Sequence, residues 1–303
     1  MRAVWSFWTK PFVKHHRKVW FNERHHLLAW ILSVESARAH YADTALVTDD
    51  EGADLLVSKL GLEFKEVSTA LTDLRESNSG WWVLGKLWAY RLQTRPFVHL
   101  DSDVFLWRPL PERLVRAPVF AQNPESFPAD DSSWYRPAFV DAVVRGVQGW
   151  LPREWCWYIA QQKTEAICCG ILGGTNVEFL AHYAKAAITM IEHPTNESAW
   201  SAIGNVIGDN ILVEQYLLAA CIEYHHRVDQ QSFRPLTARY LFDSVEEAFD
   251  ESAARREGYT HLIGGAKANR EIMQRLDLRV RRDYPKLYKR AAEVAEQIRA
   301  SKA

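Results

Sequence analysis

The sequence lacks several features that would mark common classes of protein. It has no CxxC pair, and its four cysteines include the adjacent Cys168 and Cys169, which are awkward to bridge. It has no run of about 18 apolar residues, and no long apolar stretch follows the basic residues near its start. We therefore expect reduced thiols, no signal peptide, no membrane span and a cytoplasmic location.

The charge shows no bias of either sign. The 37 Lys and Arg nearly balance the 38 Asp and Glu, so the formal net charge is −1. A balance of this kind gives no overall attraction to nucleic acids or acidic membranes, and we expect no nucleic-acid partner. With 303 residues, 48% hydrophobic and 25% charged, the chain is typical of a globular protein that buries a large core.

A glycine-rich phosphate loop is missing near the start of the chain. Residues 5–15 contain no glycine, and no GxGxxG follows the first predicted strand. This absence argues against dinucleotide binding. It also weakens, without removing, the alternative of a metal-dependent nucleotidyl- or phosphotransferase.

Hydrophobic patterning predicts an α/β fold. Strands are predicted at 3–8, 45–48, 64–67, 97–100, 119–121, 166–172 and 259–263, and helices at 25–41, 51–60, 81–93, 177–191, 209–220 and 279–302. Alternation of strands and helices is typical of a Rossmann-type, mostly parallel sheet that is flanked by helices.

The segment at about 124–163 breaks this alternation. It is rich in proline and aromatic residues, and we interpret it as an irregular insertion that acts as a mobile lid or an acceptor-binding flap. The whole chain has 13 Trp. Most of them are explained by burial in the core, but Trp faces also stack on sugars, which keeps a non-catalytic carbohydrate-binding protein as an alternative.

Asp101 and Asp103 are the strongest candidates for chemistry. They directly follow the apolar strand 97–100, at a point where α/β sheets present functional groups. Carboxylates this close repel each other unless a cation or a proton lies between them. The sequence therefore predicts a site for Mn²⁺ or Mg²⁺.

A second motif, HxxGxxK, lies at 261–267. His261 would be a third ligand of the cation, while Gly264 and Gly265 allow a phosphate to approach the backbone and Lys267 supplies a positive charge to it. The alternative is a structural histidine at a strand end, followed by a solvated lysine.

Two polar or glycine-rich stretches are weaker candidates. Gly173 and Gly174 follow a buried strand, and they either leave room for a sugar ring or form a tight turn before a helix capped by Asn176. Glu214 and Gln215 lie on a helix and either bind sugar hydroxyls or are a solvated face. Asp209 and Asn210 are the rival pair on that helix.

Cationic and acidic side chains near other strand ends complete the candidates. Lys86 and Arg91 lie on the helix before strand 97–100, where they either direct positive charge at a diphosphate or form a solvated face. Asp49 ends the second strand and is a candidate for contacting a base or ribose.

These motifs resemble those of nucleotide-sugar-dependent glycosyltransferases of the GT-A fold. The likeness is to the retaining group that includes glycogenin and the bacterial lipooligosaccharide galactosyltransferases. That group has a strand-end DxD, here Asp101 and Asp103, followed at a distance by HxxGxxK, here His261, Gly264 and Lys267. Gly173 and Gly174 resemble the glycine-rich strand of the blood-group transferases, and Glu214–Gln215 resembles an Asp-Gln pair.

The resemblance implies a hexosyltransferase that uses a nucleotide-diphosphate sugar and retains the anomeric configuration. A UDP-sugar is the favoured donor. Asp101, Asp103 and His261 would hold Mn²⁺ or Mg²⁺ on the donor's phosphates, and Lys267, with Lys86 or Arg91, would add charge there. Glu214 and Gln215 would lie at the sugar. The catalytic domain would span 1–270 and a helical extension 271–303. The acceptor would be a glycan, a natural product or a protein.

Overall fold

A computed structural model describes residues 1–15, 19–129 and 134–300. The strands are β1 (Arg2–Phe7), β2 (Thr44–Thr48), β3 (Glu66–Ser68), β4 (Phe97–Leu100), β5 (Val104–Leu106), β6 (Val119–Ser126), β7 (Glu165–Gly174), β8 (Ala238–Tyr240) and β9 (Tyr259–His261). The helices are α1 (Thr9–Lys14), α2 (Glu23–Arg38), α3 (Asp50–Ala53), α4 (Leu84–Arg91), α5 (Glu112–Val115), α6 (Pro137–Gly146), α7 (Arg153–Ala160), α8 (Val177–Glu192), α9 (Glu197–Ile203), α10 (Leu217–Arg227), α11 (Val245–Phe249), α12 (Glu251–Glu257), α13 (Arg270–Asp283) and α14 (Pro285–Ala300).

The chain forms two compact units. The first, here called the outer unit because it contains the outer parts of the sequence, comprises residues 2–79, 100–109 and the chain from 258 onward. The second, here called the central unit because it contains the middle of the sequence, comprises residues 80–99 and 110–257. Each unit is therefore built from segments that are distant in sequence.

The outer unit is built on parallel strands. β1 pairs with β2, with Ala3 opposite Thr44, and β2 pairs with β3. β1 and β2 are buried along almost their whole length, which explains their mostly apolar sequences. The indole nitrogen of Trp5 on β1 donates a hydrogen bond to Ser33 Oγ on α2 at 2.9 Å. Helices α13 and α14 pack against α2.

The central unit contains both parallel and antiparallel pairs. Its strands follow the order β4-β7-β6-β8, with β6 antiparallel to β7 and parallel to β8. Helix α4 packs against α8, and α7 packs against α10. The strand pairs described above are mostly parallel and are flanked by helices, so the predicted α/β class is confirmed.

The segment predicted to be irregular, about 124–163, has regular structure in its described part. β6 continues to Ser126, and α6 and α7 follow. Trp155 and Tyr158 on α7 are almost wholly buried, because they supply the apolar face with which the helix packs in the central unit. Residues 130–133 lie outside the described part of the chain, and the function of this segment as a lid or flap stays a prediction.

The helix predicted at 279–302 is two helices in the structure. α13 ends at Asp283 and α14 begins at Pro285. Tyr284, between them, has φ −133° and ψ 57°, because the proline that follows disfavours a helical conformation at the residue before it. Residues 301 and 302 lie outside the described residues. Among those that are described, no helix is both long and apolar enough to cross a membrane.

Candidate metal centre

The pairing of β5 with β9 brings the two sequence motifs together in the outer unit. The strands are antiparallel, with Val104 opposite His261 and Leu106 opposite Tyr259. The amide of Leu262 donates to the carbonyl of Asp103 at 3.0 Å and extends this pairing past the strand ends. The register therefore places Asp103 beside His261, although the two residues are far apart in sequence.

A tight turn holds Asp101 next to this pair. The carbonyl of Asp101 accepts hydrogen bonds from the Val104 amide at 3.0 Å and from Ser33 Oγ at 3.1 Å. One ligand atom from each of Asp101, Asp103 and His261 lies within 4.8 Å of the other two. Ligand atoms on one octahedral Mg²⁺ or Mn²⁺ are about 3 to 4 Å apart, so a small closing movement suffices for shared coordination. The two carboxylates are ligands that suit both Mn²⁺ and Mg²⁺, and the imidazole nitrogen favours the transition metal Mn²⁺ of the two.

The carboxylate of Asp103 is buried beside the side chains of Lys267 and His261. Only 4% of the residue is exposed, and its oxygens lie 2.6 Å from Lys267 Nζ and 3.6 Å from His261 Nε2. Burial by itself would raise the pKa of Asp103, but Lys267 and His261 outweigh it and hold the pKa well below its usual range. Asp103 is therefore ionised at neutral pH, as a metal ligand must be.

Lys267 is positioned by a short 3₁₀ helix at Gly264–Ala268. Its carbonyl accepts a hydrogen bond from the Phe21 amide at 2.9 Å, and its ammonium lies 5.7 Å from the centre of the Trp20 ring. Gly264 has φ +53°, a conformation that favours glycine. A Cβ atom on Gly264 or Gly265 would meet no protein atom within 4 Å, so this loop has open space beside it.

In the central unit, the structure pairs two of the predicted catalytic residues with each other. Lys86 Nζ lies 2.6 Å from Glu214 Oε1, which also accepts a hydrogen bond from Tyr90 Oη at 3.0 Å. Lys86 further donates to the carbonyl of Cys169 at 3.2 Å. Glu214 is almost fully buried and lies in a π-helical turn, Leu212–Tyr216, that leads into α10. These contacts fix the carboxylate in one orientation.

Gln215 and Arg91 have separate surroundings. The hydroxyl of Tyr135 lies within hydrogen-bond reach of Gln215 Oε1 and, at 2.5 Å, of Glu125 Oε2. Burial and the nearby Glu125 carboxylate raise the pKa of Tyr135 well above its usual value, so the hydroxyl remains a donor. Arg91 is exposed at the end of α4, with its guanidinium 4.8 Å from the centre of the Trp88 ring.

Other predicted site residues have contacts that account for them structurally. Asp49 caps α3 by accepting from the Gly52 amide at 2.8 Å, and its second oxygen accepts from the amide and hydroxyl of Thr9. A Cβ on Gly173 would lie 2.1 Å from the Phe97 carbonyl, and one on Gly174 would lie 2.0 Å from a neighbouring carbonyl. Both glycines are thus required for close approach of the backbones in the central unit.

The rival polar residues also serve local structure. Asn176 caps α8 by accepting from the Phe179 amide at 3.1 Å. Asp209 forms a bidentate ion pair with Arg136, at 2.9 and 2.8 Å. Asn210 accepts from the Val83 amide at 2.9 Å. Each of these contacts is of the capping or packing kind.

The sequence analysis missed one cluster of possible metal ligands. Glu154, His182 and His225 each place a ligand atom within 4.8 Å of the other two. They come from α7, α8 and α10 of the central unit, so no short motif reveals them. The sequence signal that could reveal such residues is an acidic or imidazole side chain at a buried position of an otherwise apolar helix face.

Comparisons with known proteins match the chain to a family and to solved structures. A family described as "Family of unknown function (DUF6734)" matches residues 1–294. No curated protein matches the sequence. A solved structure of the galactosyltransferase LgtC, in complex with donor and acceptor sugar analogues, superposes with a TM-score of 0.38 and 12% sequence identity, covering 98% of this chain and 96% of that one.

Proposed function

We propose that this chain, which belongs to the DUF6734 family of unknown function, is a metal-dependent glycosyltransferase of the hexosyltransferase type. The donor is a nucleotide-diphosphate sugar, and a UDP-sugar is the favoured one. The acceptor is a glycan, a natural product or a protein. The observation that carries the proposal is the convergence of Asp101, Asp103, His261 and Lys267 in the outer unit.

The chemistry of these side chains fits a diphosphate leaving group. A divalent cation held there stabilises the negative charge that develops as the bond to the sugar breaks. Asp101, Asp103 and His261 are its ligands, and the low pKa of Asp103 keeps that carboxylate available. The open space at Gly264 and Gly265 leaves room for phosphate oxygens beside the backbone.

Lys267 has two partners in this proposal. Its ammonium lies 2.6 Å from Asp103 Oδ2 and neutralises that carboxylate. Once a cation neutralises that carboxylate, the flexible lysine side chain is available for the diphosphate. Lys267 thereby lowers the cost of leaving Asp103 buried and charged before the donor binds.

The remaining parts of the proposal rest on the resemblance of the motifs. A strand-end DxD followed by HxxGxxK is typical of the retaining GT-A group, which supports a UDP-sugar and retention. The assignment of Glu214, Gln215 and Lys86 to catalysis, and of Arg91, Asp49, Gly173 and Gly174 to donor binding, stays a prediction.

Donor hydrolysis tests this function. The purified protein is incubated with Mn²⁺ and a panel of UDP-, GDP- and dTDP-sugars, and the released nucleoside diphosphate is measured. We expect turnover of one donor, and a decrease of roughly 100-fold or more in Asp103→Asn, because the variant keeps the shape but loses the ligand charge. Asp54→Asn, an exposed aspartate of the same unit, is the matched control.

Other outcomes would contradict the proposal in distinct ways. Full activity in Asp103→Asn would exclude the metal role of that carboxylate. Binding of free sugar without turnover and without an effect of Mn²⁺ would favour a carbohydrate-binding protein. Release of a sugar 1-phosphate, in place of a nucleoside diphosphate, would favour a nucleotidyltransferase, because transfer of the nucleotidyl group breaks the bond between the two phosphates.

A further inference from the structure

A cluster of metal-ligating side chains lies outside the residues that the proposed function uses. Glu154 on α7, His182 on α8 and His225 on α10 converge within the central unit. Glu154 and His225 are almost completely buried, with side-chain exposures of 3% and 0%, while the side chain of His182 is 31% exposed. The cluster is therefore enclosed by protein and reachable from the side of His182.

The three ligand atoms form a triangle of the size that a tetrahedral metal ion requires. Glu154 Oε1 lies 2.9 Å from His182 Nε2 and 3.2 Å from His225 Nε2, and the two imidazole nitrogens are 3.4 Å apart. A tetrahedral Zn²⁺ with bonds of about 2.0–2.1 Å separates its ligand atoms by about 3.3–3.4 Å. The observed spacing needs only a few tenths of an ångström of adjustment.

We infer that Glu154, His182 and His225 bind a divalent transition-metal ion of the Zn²⁺ class, with the fourth coordination position on the side of His182. Two imidazoles and one carboxylate are typical zinc ligands, whereas Mg²⁺ prefers oxygen ligands alone. This site is separate in residues and in ligand chemistry from the Asp101–Asp103–His261 cluster. The inference does not depend on the proposed glycosyltransferase activity.

The two carboxylates beside His225 support a cation at this place. Its Nδ1 faces the carboxylate of Asp229 at 3.5 Å, while its Nε2 faces Glu154. A neutral imidazole carries one proton, so one of its nitrogens presents a lone pair to a carboxylate oxygen. A metal ion on Nε2 removes this conflict, because Nδ1–H then points towards Asp229 in the carboxylate–histidine–metal arrangement that is common in proteins.

The surroundings of the cluster include one opposing charge. Arg153 lies 3.4 Å from Glu154 Oε1 and 3.1 Å from Asp229 Oδ2. Its side chain is 58% exposed, so water screens its repulsion of a bound cation. The carboxylates of Glu154 and Asp229 outnumber this guanidinium, so the place still attracts a divalent cation.

Aromatic packing keeps the imidazoles in place. The Phe233 ring lies 5.0 Å from that of His182 and 4.9 Å from that of His225, centre to centre. Rings held by packing lose little side-chain entropy when they bind a metal ion. Because the ligands come from three different helices, a bound ion would also join α7, α8 and α10 and stabilise the central unit.

Cobalt substitution tests the site directly. Protein stripped with a chelator is titrated with Co²⁺, and the visible absorption of tetrahedral Co²⁺ and the metal content are measured. We expect the intense absorption band of tetrahedral Co²⁺ in the wild-type protein and in Asp103→Asn. His182→Ala and Glu154→Gln should lose this band and should bind one metal ion fewer per protein. His226→Ala is the matched control, since His226 is the exposed neighbour of His225 on α10.

Thermal unfolding gives a second readout. Zn²⁺ should raise the Tm of the wild-type protein and of His226→Ala by several degrees, and leave that of His182→Ala unchanged. Circular dichroism of the metal-free proteins checks that His182→Ala is folded, as expected from its partial exposure. Absence of the tetrahedral band in the wild-type protein, or an unchanged band in both His182→Ala and Glu154→Gln, would overturn the inference.

Discussion

Asp103 shows how single residues in this protein are tuned by what lies against them. Its carboxylate is buried, which alone would favour the neutral acid, yet Lys267 and His261 stabilise its charge and lower its pKa. Glu214 has a similar arrangement in the central unit, where Lys86 and Tyr90 contact the same oxygen. In both cases a buried carboxylate persists because charged or hydrogen-bonding partners replace water.

Lys267 should affect metal and nucleotide binding in opposite directions. Lys267→Met removes the ammonium that lies 2.6 Å from Asp103 Oδ2, so Mn²⁺ no longer competes with it and should bind more tightly. Binding of UDP in the presence of Mn²⁺ should weaken by about 10- to 100-fold, because a hydrogen bond from a charged group to phosphate is lost. Isothermal titration calorimetry measures both affinities.

The matched control for these opposite effects on metal and nucleotide binding is Lys65→Met, since Lys65 is an exposed residue of the same unit. If Lys267→Met weakened the binding of Mn²⁺ and of UDP to the same extent, its effect would be structural, and the assignment of Lys267 to the diphosphate would be wrong.

At the level of secondary-structure elements, close approach of backbones explains Gly173 and Gly174 at the end of β7. Gly173 faces the Phe97 carbonyl on β4, and no Cβ fits between them. The sequence alone left two interpretations open, a sugar-binding space and a structural turn. The structure supplies a packing reason for this glycine without any ligand.

Gly173→Ala should therefore destabilise the protein itself. The new Cβ would lie 2.1 Å from a carbonyl oxygen, so the strands must move apart, at a cost of about 1–3 kcal/mol in the free energy of unfolding. Urea denaturation of the protein without ligands measures the change. Gly146→Ala is the matched control, since a Cβ at that position meets no atom within 4 Å. Equal stability of the two variants would contradict the packing explanation.

At the level of the whole molecule, buried neutral histidines make stability depend on pH. Burial, together with Arg24, lowers the pKa of His25 even though Asp277 opposes the shift. Burial and the nearby Lys86 hold the pKa of His99 well below its usual value. Each of these histidines is neutral in the folded protein at a pH where it takes up a proton in the unfolded chain.

The free energy of unfolding should fall as the pH is lowered from about 7.5 to about 5.5. Below the unfolded pKa of about 6.5 the unfolded chain binds more protons, so each such histidine removes up to about 1.4 kcal/mol per pH unit until its folded pKa is reached. Urea denaturation of chelator-treated protein at several pH values measures the slope. His99→Gln should reduce it and the exposed His226→Ala should not; a slope that His99→Gln leaves unchanged would exclude this histidine as its source.

The sequence by itself determined the α/β class and the placement of the DxD motif. β1, β2 and β4 agree with the predicted strands nearly to the residue because each is a short, mostly apolar run. The cap of α8 at Asn176 is likewise local, since a side chain accepts a hydrogen bond from an amide three residues away. Local patterns of this kind need no knowledge of the rest of the chain.

Only the tertiary structure decided which distant side chains meet. The register of β5 against β9 places His261 and Lys267 at Asp103, and the packing of α7, α8 and α10 brings Glu154, His182 and His225 together. The tertiary structure also directs the ammonium of Lys86 at the carboxylate of Glu214. The physical reason is that strand register and helix packing depend on the burial of whole faces, so a contact between residues far apart in sequence leaves no local pattern at either one.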